Sequence, residues 1–134
     1  IKNKIPVQGH LGVLPQSQKG KFRFKGKKLS ERIKILSDAK LLEQAGVFSI
    51  VLECVETSLA KTITRELMIP TIGIGSSSNC DGQVLVTDDL IGLNPINVRF
   101  VKKYLNITKY INSAIINFKN DVQKKKFPQK KNSY

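Results

Sequence analysis

The chain alternates short apolar runs with amphipathic stretches, and this alternation limits its fold more than any other feature of the sequence. Residues 48–52 form a compact apolar run, which is typical of a strand buried on both faces. Residues 71–75 and 83–86 form two further runs, and residues 5–7 form a shorter extended run that ends at 8–10. The sequence therefore predicts four short strands.

Helices are predicted between these runs, because apolar residues recur there every three or four positions. Ser30 is predicted to cap the first helix and Ser58 the second. Gly46 and Pro70 stand where the two helices are expected to end. The apolar stripes consist of Ile35, Ala39 and Leu42 in the first helix and of Leu59, Ile63 and Leu67 in the second.

The predicted order of elements is strand, helix, strand, helix, strand, strand, helix, with a loop over residues 11–28 and C-terminal helices over 98–104 and 111–125. This order favours parallel strands with helical crossovers, the α/β class. Four such strands form either half of a (β/α) barrel or a small open sheet. Because open edges on apolar strands promote aggregation, the sequence favours the half barrel, whose edges the rest of the barrel would cover.

The composition is that of an ordinary globular domain. The chain has 134 residues, of which 40% are hydrophobic and 25% are charged, and this length suits one domain. No apolar run reaches the roughly 20 residues that cross a bilayer, and no signal peptide is visible at the N-terminus. Cys54 and Cys80 lack the C-x-x-C spacing, so we predict two reduced thiols in a cytoplasmic protein.

The net charge of +13 raises the question of nucleic acid. Residues after Asp88 carry 10 Lys and Arg against 2 Asp and Glu, so the excess is concentrated near the C-terminus. Of the 23 basic residues, 19 are Lys and 4 are Arg. Because Arg is the preferred reader of phosphates and base edges, nucleic-acid binding is not expected as the main function. Residues 124–134 are predicted to be a basic, flexible tail.

Polar residues follow the predicted strands, at the edge where parallel sheets place their active sites. Glu53 directly follows apolar residues, so its carboxylate is expected to be partly desolvated and suited to acid or base catalysis. It could equally pair with a Lys or cap the next helix. His10, the only histidine, is either a packed structural residue or a site residue. Residues 75–78 and 88–89 complete this predicted rim.

Three of these patterns are less specific. Residues 73–75 precede three serines but lack the spacing of a P-loop or a dinucleotide-binding loop. Asp81 followed by Gly82 predicts a turn. Asp88 and Asp89 are adjacent, so on a strand they would point to different faces. The glycines of 73–75 would let the backbone approach a ligand or a neighbouring strand. A turn is expected at Asp81, and structural roles rather than a cation site are expected for Asp88 and Asp89.

Several motifs in register resemble ketopantoate hydroxymethyltransferase. They are IPVQGHLG at 5–12, PQS at 15–17, Gly26, LECV at 52–55, IPTIGIG at 69–75, CDGQVLV at 80–86, FP at 127–128 and NSY at 132–134. The resemblance covers nearly the whole chain, in order and with short gaps. It implies a (β/α) barrel of the phosphoenolpyruvate/pyruvate type, of which this chain is about the last four strands. Residues 1–134 would then be the C-terminal half of one (β/α)8 domain.

The resemblance also implies a reaction. The family transfers a hydroxymethyl group from 5,10-methylenetetrahydrofolate to 3-methyl-2-oxobutanoate, which gives 2-dehydropantoate on the way to pantothenate, and it uses Mg²⁺ to chelate the keto acid. By motif, the family's proton-accepting glutamate falls on Glu53, and His10 matches a histidine near the substrate. The family forms homo-oligomers, usually decamers.

Some features depart from the family pattern. The family's Mg²⁺ ligands lie on strands that precede Ile1, so no metal ligand is expected in this chain, and the chain alone is expected to be inactive. The loop after Gly20 is shorter than usual, and Ser76 with Ser77 replaces a more typical Ala-Gly pair. The alternative hypothesis is a non-catalytic remnant or a basic RNA-binding module.

Overall fold

The computed structural model describes residues 3–14, 23–95 and 97–134. The chain divides into two compact units, Ile1–Val84 and Leu85–Tyr134. The first unit contains strands β1 (Gln8–Gly12), β2 (Ser49–Glu53), β3 (Thr71–Ile74) and β4 (Gly82–Gln83), with helices α1 (Leu29–Gln44) and α2 (Thr57–Glu66). The second unit contains helices α3 (Thr87–Leu90) and α4 (Ile107–Gln123) and a 3₁₀ turn at Lys130–Asn132.

The four strands form one parallel sheet in the order β1-β2-β3-β4. Ile50 of β2 lies beside Gly9 of β1 on one side and beside Thr71 of β3 on the other. Helices follow β1 and β2 along the chain, as a parallel sheet requires. The predicted α/β class is confirmed, and the sheet is consistent with part of a (β/α) barrel.

The core of the first unit lies between the two helices and one face of the sheet. Ile50 and Leu52 of β2 are fully buried there against the apolar stripes of both helices. The buried members are Ile35 and Ala39 of α1 and Leu59, Ala60 and Ile63 of α2, with Leu67 just beyond. Leu42 packs against the same cluster. Both predicted stripes are confirmed.

The predicted helix caps are wrong, although the helices are present. Glu56 caps α2, since its carboxylate accepts hydrogen bonds from the backbone N–H groups of Ser58 and Leu59. Ser58 therefore lies inside the first turn of the helix. Ser30 likewise lies inside α1, which begins after Lys28 with no side-chain cap. The helix ends one residue before Ala45, and Gly46 follows with a φ of +89°.

The outer strands differ from the prediction. The Val7 carbonyl accepts a hydrogen bond from Phe48 N–H at 3.0 Å, but the paired strand β1 begins only at Gln8. The predicted loop over 11–28 therefore starts two residues too early, and residues 15–22 of that loop, including the motif at 15–17, lie outside the described residues. Strand β4 has only two residues, and helix α3 begins four residues after it, at Thr87.

In the second unit, the helix predicted over 98–104 is wrong. Val101 N–H donates to the Val98 carbonyl in a single turn. Further along, Tyr104 N–H donates to the Leu90 carbonyl at 2.8 Å and Ile107 N–H to the Ile91 carbonyl at 2.9 Å. The end of the segment thus bonds to the residues around the end of α3 rather than to itself.

Helix α4 confirms the second predicted helix, four residues earlier than expected. Asn106 caps it, because its side chain accepts a hydrogen bond from Lys109 N–H. After the helix, Lys126 N–H donates to the Asp121 carbonyl at 2.7 Å, and the Phe127 ring stands edge-on to Phe118. The flexibility expected for residues 124–134 stays a prediction.

Candidate active site

Glu53 and His10 come together on the face of the sheet opposite the helices. In the β1–β2 register, His10 lies beside Val51, two residues before Glu53. Side chains on a strand alternate between faces, so His10 and Glu53 point to the same side. His10 Nε2 lies 3.2 Å from Glu53 Oε2. The structure therefore joins two predicted site residues into one carboxylate–imidazole pair.

The pair is half enclosed. The Glu53 side chain is 15% exposed and the His10 side chain 36% exposed, so each keeps an open side toward solvent. Glu53 is the last residue of β2, as predicted from its position after an apolar run. His10 lies in the middle of β1, and the expectation that it follows the strand is wrong. It reaches Glu53 diagonally, because its partner in the register is Val51, two residues before Glu53.

Apolar side chains flank the pair on the same face. Ile72 of β3 lies beside Val51, and Ile74 lies beside Glu53. All three apolar residues are partly buried. A ligand that meets the Glu53 carboxylate would therefore also meet an apolar surface, which suits a small molecule with a polar end and an apolar end.

Backbone hydrogen bonds hold Glu53 on both sides. Its carbonyl accepts from Val13 N–H at 2.9 Å, and the next N–H, from Cys54, donates to the Ile74 carbonyl at 2.9 Å. Burial raises the pKa of the Cys54 thiol to about 11, and the neighbouring Glu53 charge adds to the effect. This thiol is thus neutral at physiological pH. Cys54 and Cys80 are both free, as predicted, and both are buried.

A second carboxylate near the rim, that of Glu56, has a structural role. The Ser58 hydroxyl donates to it at 2.7 Å, and Arg32 Nη1 donates at 2.6 Å. The Ser58 hydrogen bond, supported by those from Arg32 and Leu59, lowers the pKa of Glu56 to about 2. Sequence reasoning missed this residue because serine is the expected helix cap.

The serine loop after β3 also makes hydrogen bonds within the fold. Ser76 donates to the Val55 carbonyl at 3.0 Å, and Thr57 donates to the Ser76 carbonyl at 3.3 Å. The buried Ser77 hydroxyl accepts from Asn79 N–H. These contacts attach the loop to the residues around the start of α2.

Asp81 stabilises the start of β3 rather than forming part of the pair. Its Oδ2 accepts from Thr71 N–H at 2.8 Å and from the Thr71 hydroxyl at 3.0 Å. The hydrogen bond from Thr71 N–H lowers the pKa of Asp81. Asp88 and Asp89 belong to α3 in the second unit, so the expectation that they follow a strand end is wrong. Asp89 accepts from Asn94 Nδ2 at 2.9 Å.

Among residues 3–14, 23–95 and 97–134, no three His, Cys, Asp or Glu side chains lie close enough to hold a metal ion. The His10–Glu53 pair offers two ligand groups, which do not make a Mg²⁺ site of six oxygen ligands by themselves. Within the same ranges, no helix is long and apolar enough to span a membrane.

The fold and the site define an α/β protein with a carboxylate–imidazole pair at the sheet edge where parallel-sheet enzymes bind substrates. The family model described as ketopantoate hydroxymethyltransferase matches residues 1–130. The chain belongs to this family.

Curated relatives show the same likeness. A 3-methyl-2-oxobutanoate hydroxymethyltransferase of Pelagibacter ubique is 69% identical over 134 residues, which are 100% of this chain and 52% of the relative. Proteins of the same name from Thermosipho africanus and Carboxydothermus hydrogenoformans are 50% and 47% identical over 133 residues, 97% of this chain and 50% and 48% of each relative. The chain spans about half the length of the curated relatives it matches.

Proposed function

We propose that this chain is part of a hydroxymethyltransferase of pantothenate biosynthesis. In the proposed reaction, 3-methyl-2-oxobutanoate loses the proton on C3, and C3 forms a bond to the methylene carbon of 5,10-methylenetetrahydrofolate as one of the two C–N bonds of that carbon breaks. Water supplies the hydroxyl group as the second C–N bond breaks. The two nitrogens of the leaving tetrahydrofolate take up one proton from C3 and one from water, so the product is 2-dehydropantoate. Membership of the family and the names of the relatives support this assignment.

Glu53 is the proposed proton acceptor. The observation that carries this role is its contact with His10 at the end of β2, on the face that the helices leave open. A carboxylate with an open side at the end of a parallel strand is placed where it can take a proton from a bound substrate. The flanking Ile72 and Ile74 suit the isopropyl group of the keto acid. His10 is proposed to bind the substrate beside Glu53.

Mg²⁺ is the metal that the family resemblance implies, and it polarises a carbonyl when bound. The described residues do not bring together enough ligand groups for it. No step is therefore assigned to the metal here, and its ligands are proposed to come from the part of the relatives that this chain does not match.

That part is also proposed to complete the fold as one (β/α)8 domain. In the described first unit, β1 lies at the edge of the sheet with one side unpaired. On the neighbouring helix α1, the apolar residues Leu29, Ile33 and Leu41 are exposed. An additional strand with its helix would cover both surfaces. The completed protein is proposed to be a cytoplasmic homo-oligomer, a decamer as in the family.

The test uses a completed enzyme, made by joining this chain to the part of the Pelagibacter ubique relative that it does not match. Replacing a general base typically costs about 10²–10⁴ in rate. We expect Glu53→Gln to lower kcat by at least about 100-fold, measured as 2-dehydropantoate formation. The same change at Glu66, which pairs with Lys40 on the protein surface, is the matched control and should leave kcat within about twofold. Parental turnover in Glu53→Gln would remove Glu53 from this role.

A further inference from the structure

The backbone around Glu53 has an unusual conformation. Cys54 directly follows Glu53 and has a φ of +49°, in the left-handed region that residues other than glycine rarely adopt. Its side chain is 1% exposed, and the next residue, Val55, is buried too. Two consecutive buried residues break the strand's alternation. The left-handed turn thus ends β2 immediately after Glu53 and sends the chain back into the core.

Gly12 of β1 meets this turn from one side. Its φ is +105°, and a Cβ built on it would lie 2.1 Å from the Glu53 carbonyl oxygen and 2.8 Å from Val55 Cγ2. Only glycine allows such an approach. The approach lets the next residue, Val13, donate its N–H to the same carbonyl at 2.9 Å.

Further backbone contacts hold the turn from the other sides. Cys54 N–H donates to the Ile74 carbonyl at 2.9 Å, and the Cys54 carbonyl accepts from Lys25 N–H at 2.8 Å. The Lys25 carbonyl then accepts from Glu56 N–H at 2.8 Å. The turn is thus hydrogen-bonded through the carbonyls of Glu53, Cys54 and Val55 and through the N–H groups of Cys54 and Glu56. A residue in a rarely adopted conformation persists where its surroundings fix it in this way.

We propose that Gly12 and Cys54 act as positioning residues that aim the Glu53 carboxylate at the substrate carbon. This inference rests on the proposed function of Glu53. The Glu53 backbone is clamped between Gly12–Val13 and the left-handed Cys54, so the side chain has few directions open to it. Of these, it takes the one toward His10. Catalysis by a base depends strongly on such aim, since a displacement of about 1 Å can cost on the order of 100-fold in rate.

The experiment isolates the proton-transfer step in the completed enzyme. Exchange of the C3 proton of 3-methyl-2-oxobutanoate with D₂O is followed by NMR in the absence of folate. We expect Gly12→Ala to lower kcat of exchange by at least about tenfold while KM changes by less than about threefold, because aim is lost and binding is kept. Gly9→Ala is the matched control in the same strand, since the atoms nearest to its Cβ would be in the side chains of Leu42 and Ile50, at 3.1–3.2 Å, with the Ser49 carbonyl oxygen at 3.6 Å. It should leave kcat within about twofold.

A second pair of variants covers the case in which Gly12→Ala does not fold. Cys54→Gly and Cys54→Ala both lose the sulfur, but only Cys54→Gly loses the Cβ that restricts the backbone. We expect kcat of exchange to be several-fold lower in Cys54→Gly than in Cys54→Ala, with similar KM values.

The outcomes separate the two proposals. Exchange that survives Glu53→Gln overturns the role of Glu53 and the positioning inference with it. Exchange that is lost in Glu53→Gln but is parental in a folded Gly12→Ala overturns only the positioning inference. If Gly12→Ala does not fold, equal kcat values in the two Cys54 variants overturn it. A large rise in KM with unchanged kcat would show instead that Gly12 and Cys54 shape the substrate-binding surface. This result also overturns the positioning inference.

Discussion

At the scale of single residues, two carboxylates close together in sequence have opposite roles. Glu53 has its contact with His10 and an open side. Three residues later, Glu56 accepts hydrogen bonds from Ser58, Arg32 and Leu59. A carboxylate that is saturated with donors stabilises the fold and is a poor base, because its anionic form is already favoured. The difference in partners, rather than the residue type, separates the candidate catalyst from the helix cap.

The cap has a consequence for acid stability. The pKa of Glu56 is about 2 in the folded protein, against 4.5 for an ordinary glutamate side chain. A lowered pKa means that the ionised group stabilises the fold above about pH 4.5, and that this contribution is lost as the pH falls toward 2. We expect the unfolding free energy of the completed enzyme to decline over this window, measured by urea unfolding followed by circular dichroism.

The matched variant for this prediction is Glu56→Gln, which keeps the shape of the side chain without the charge. The difference in unfolding free energy between the parent and Glu56→Gln should be largest above pH 4.5 and should shrink below it. A difference that stays constant from pH 6 to pH 2 would contradict the assignment.

At the scale of elements, the sequence was informative about what is buried and less so about where elements begin. The stripes of α1 and α2 were predictable, because burial of Ile35, Ala39, Leu59 and Ile63 imposes the helical period. The caps were not, because Glu56 and Lys28 are not preferred cap residues. Strand β1 was displaced because an apolar run is a weaker guide than the hydrogen-bond register with β2.

The candidate site shows the same limit. Glu53 and His10 could be placed near one rim, since both lie close to predicted strand ends. Their contact depends on the parallel register of β1 and β2, which no local pattern specifies. The left-handed Cys54 was also invisible, because cysteine has no preference for that conformation and only the surrounding hydrogen bonds impose it.

Helix α2 packs onto the sheet through its buried apolar stripe. Ile63 is fully buried in the cluster that joins α2 to β2. Truncating a buried isoleucine removes apolar contacts and leaves a cavity, at a cost of about 2–5 kcal/mol. We expect Ile63→Ala to lower the unfolding free energy of the completed enzyme by this amount, measured by urea denaturation.

Met68, just beyond the helix, provides the control for this prediction. Its side chain is 93% exposed, so Met68→Ala should change the unfolding free energy by less than about 0.5 kcal/mol. Equal effects of the two substitutions would show that α2 does not anchor the core.

At the scale of the whole molecule, the first unit combines a well-packed core with uncovered surfaces. In the part of the chain that the structure describes, β1 has no strand on one side, and α1 exposes Leu29, Ile33 and Leu41. The core indicates that the unit can hold its local structure. The unpaired strand edge and the exposed apolar residues of α1 favour association with other protein surfaces, because such features promote aggregation when they are exposed to solvent.

We therefore expect this chain, produced alone, to form assemblies of mixed size rather than a monomer, measured by size-exclusion chromatography with light scattering. Co-expression with the part of the Pelagibacter ubique relative that it does not match should give one defined species, since the same surfaces would then be covered. Ile33→Lys should reduce the association of the isolated chain, because it places a charge on the exposed surface of α1. Met68→Lys adds the same charge at an exposed site away from that helix and should change association less. A monomer that unfolds cooperatively without the added part would show that the unpaired edge of β1 and the exposed residues of α1 do not cause association.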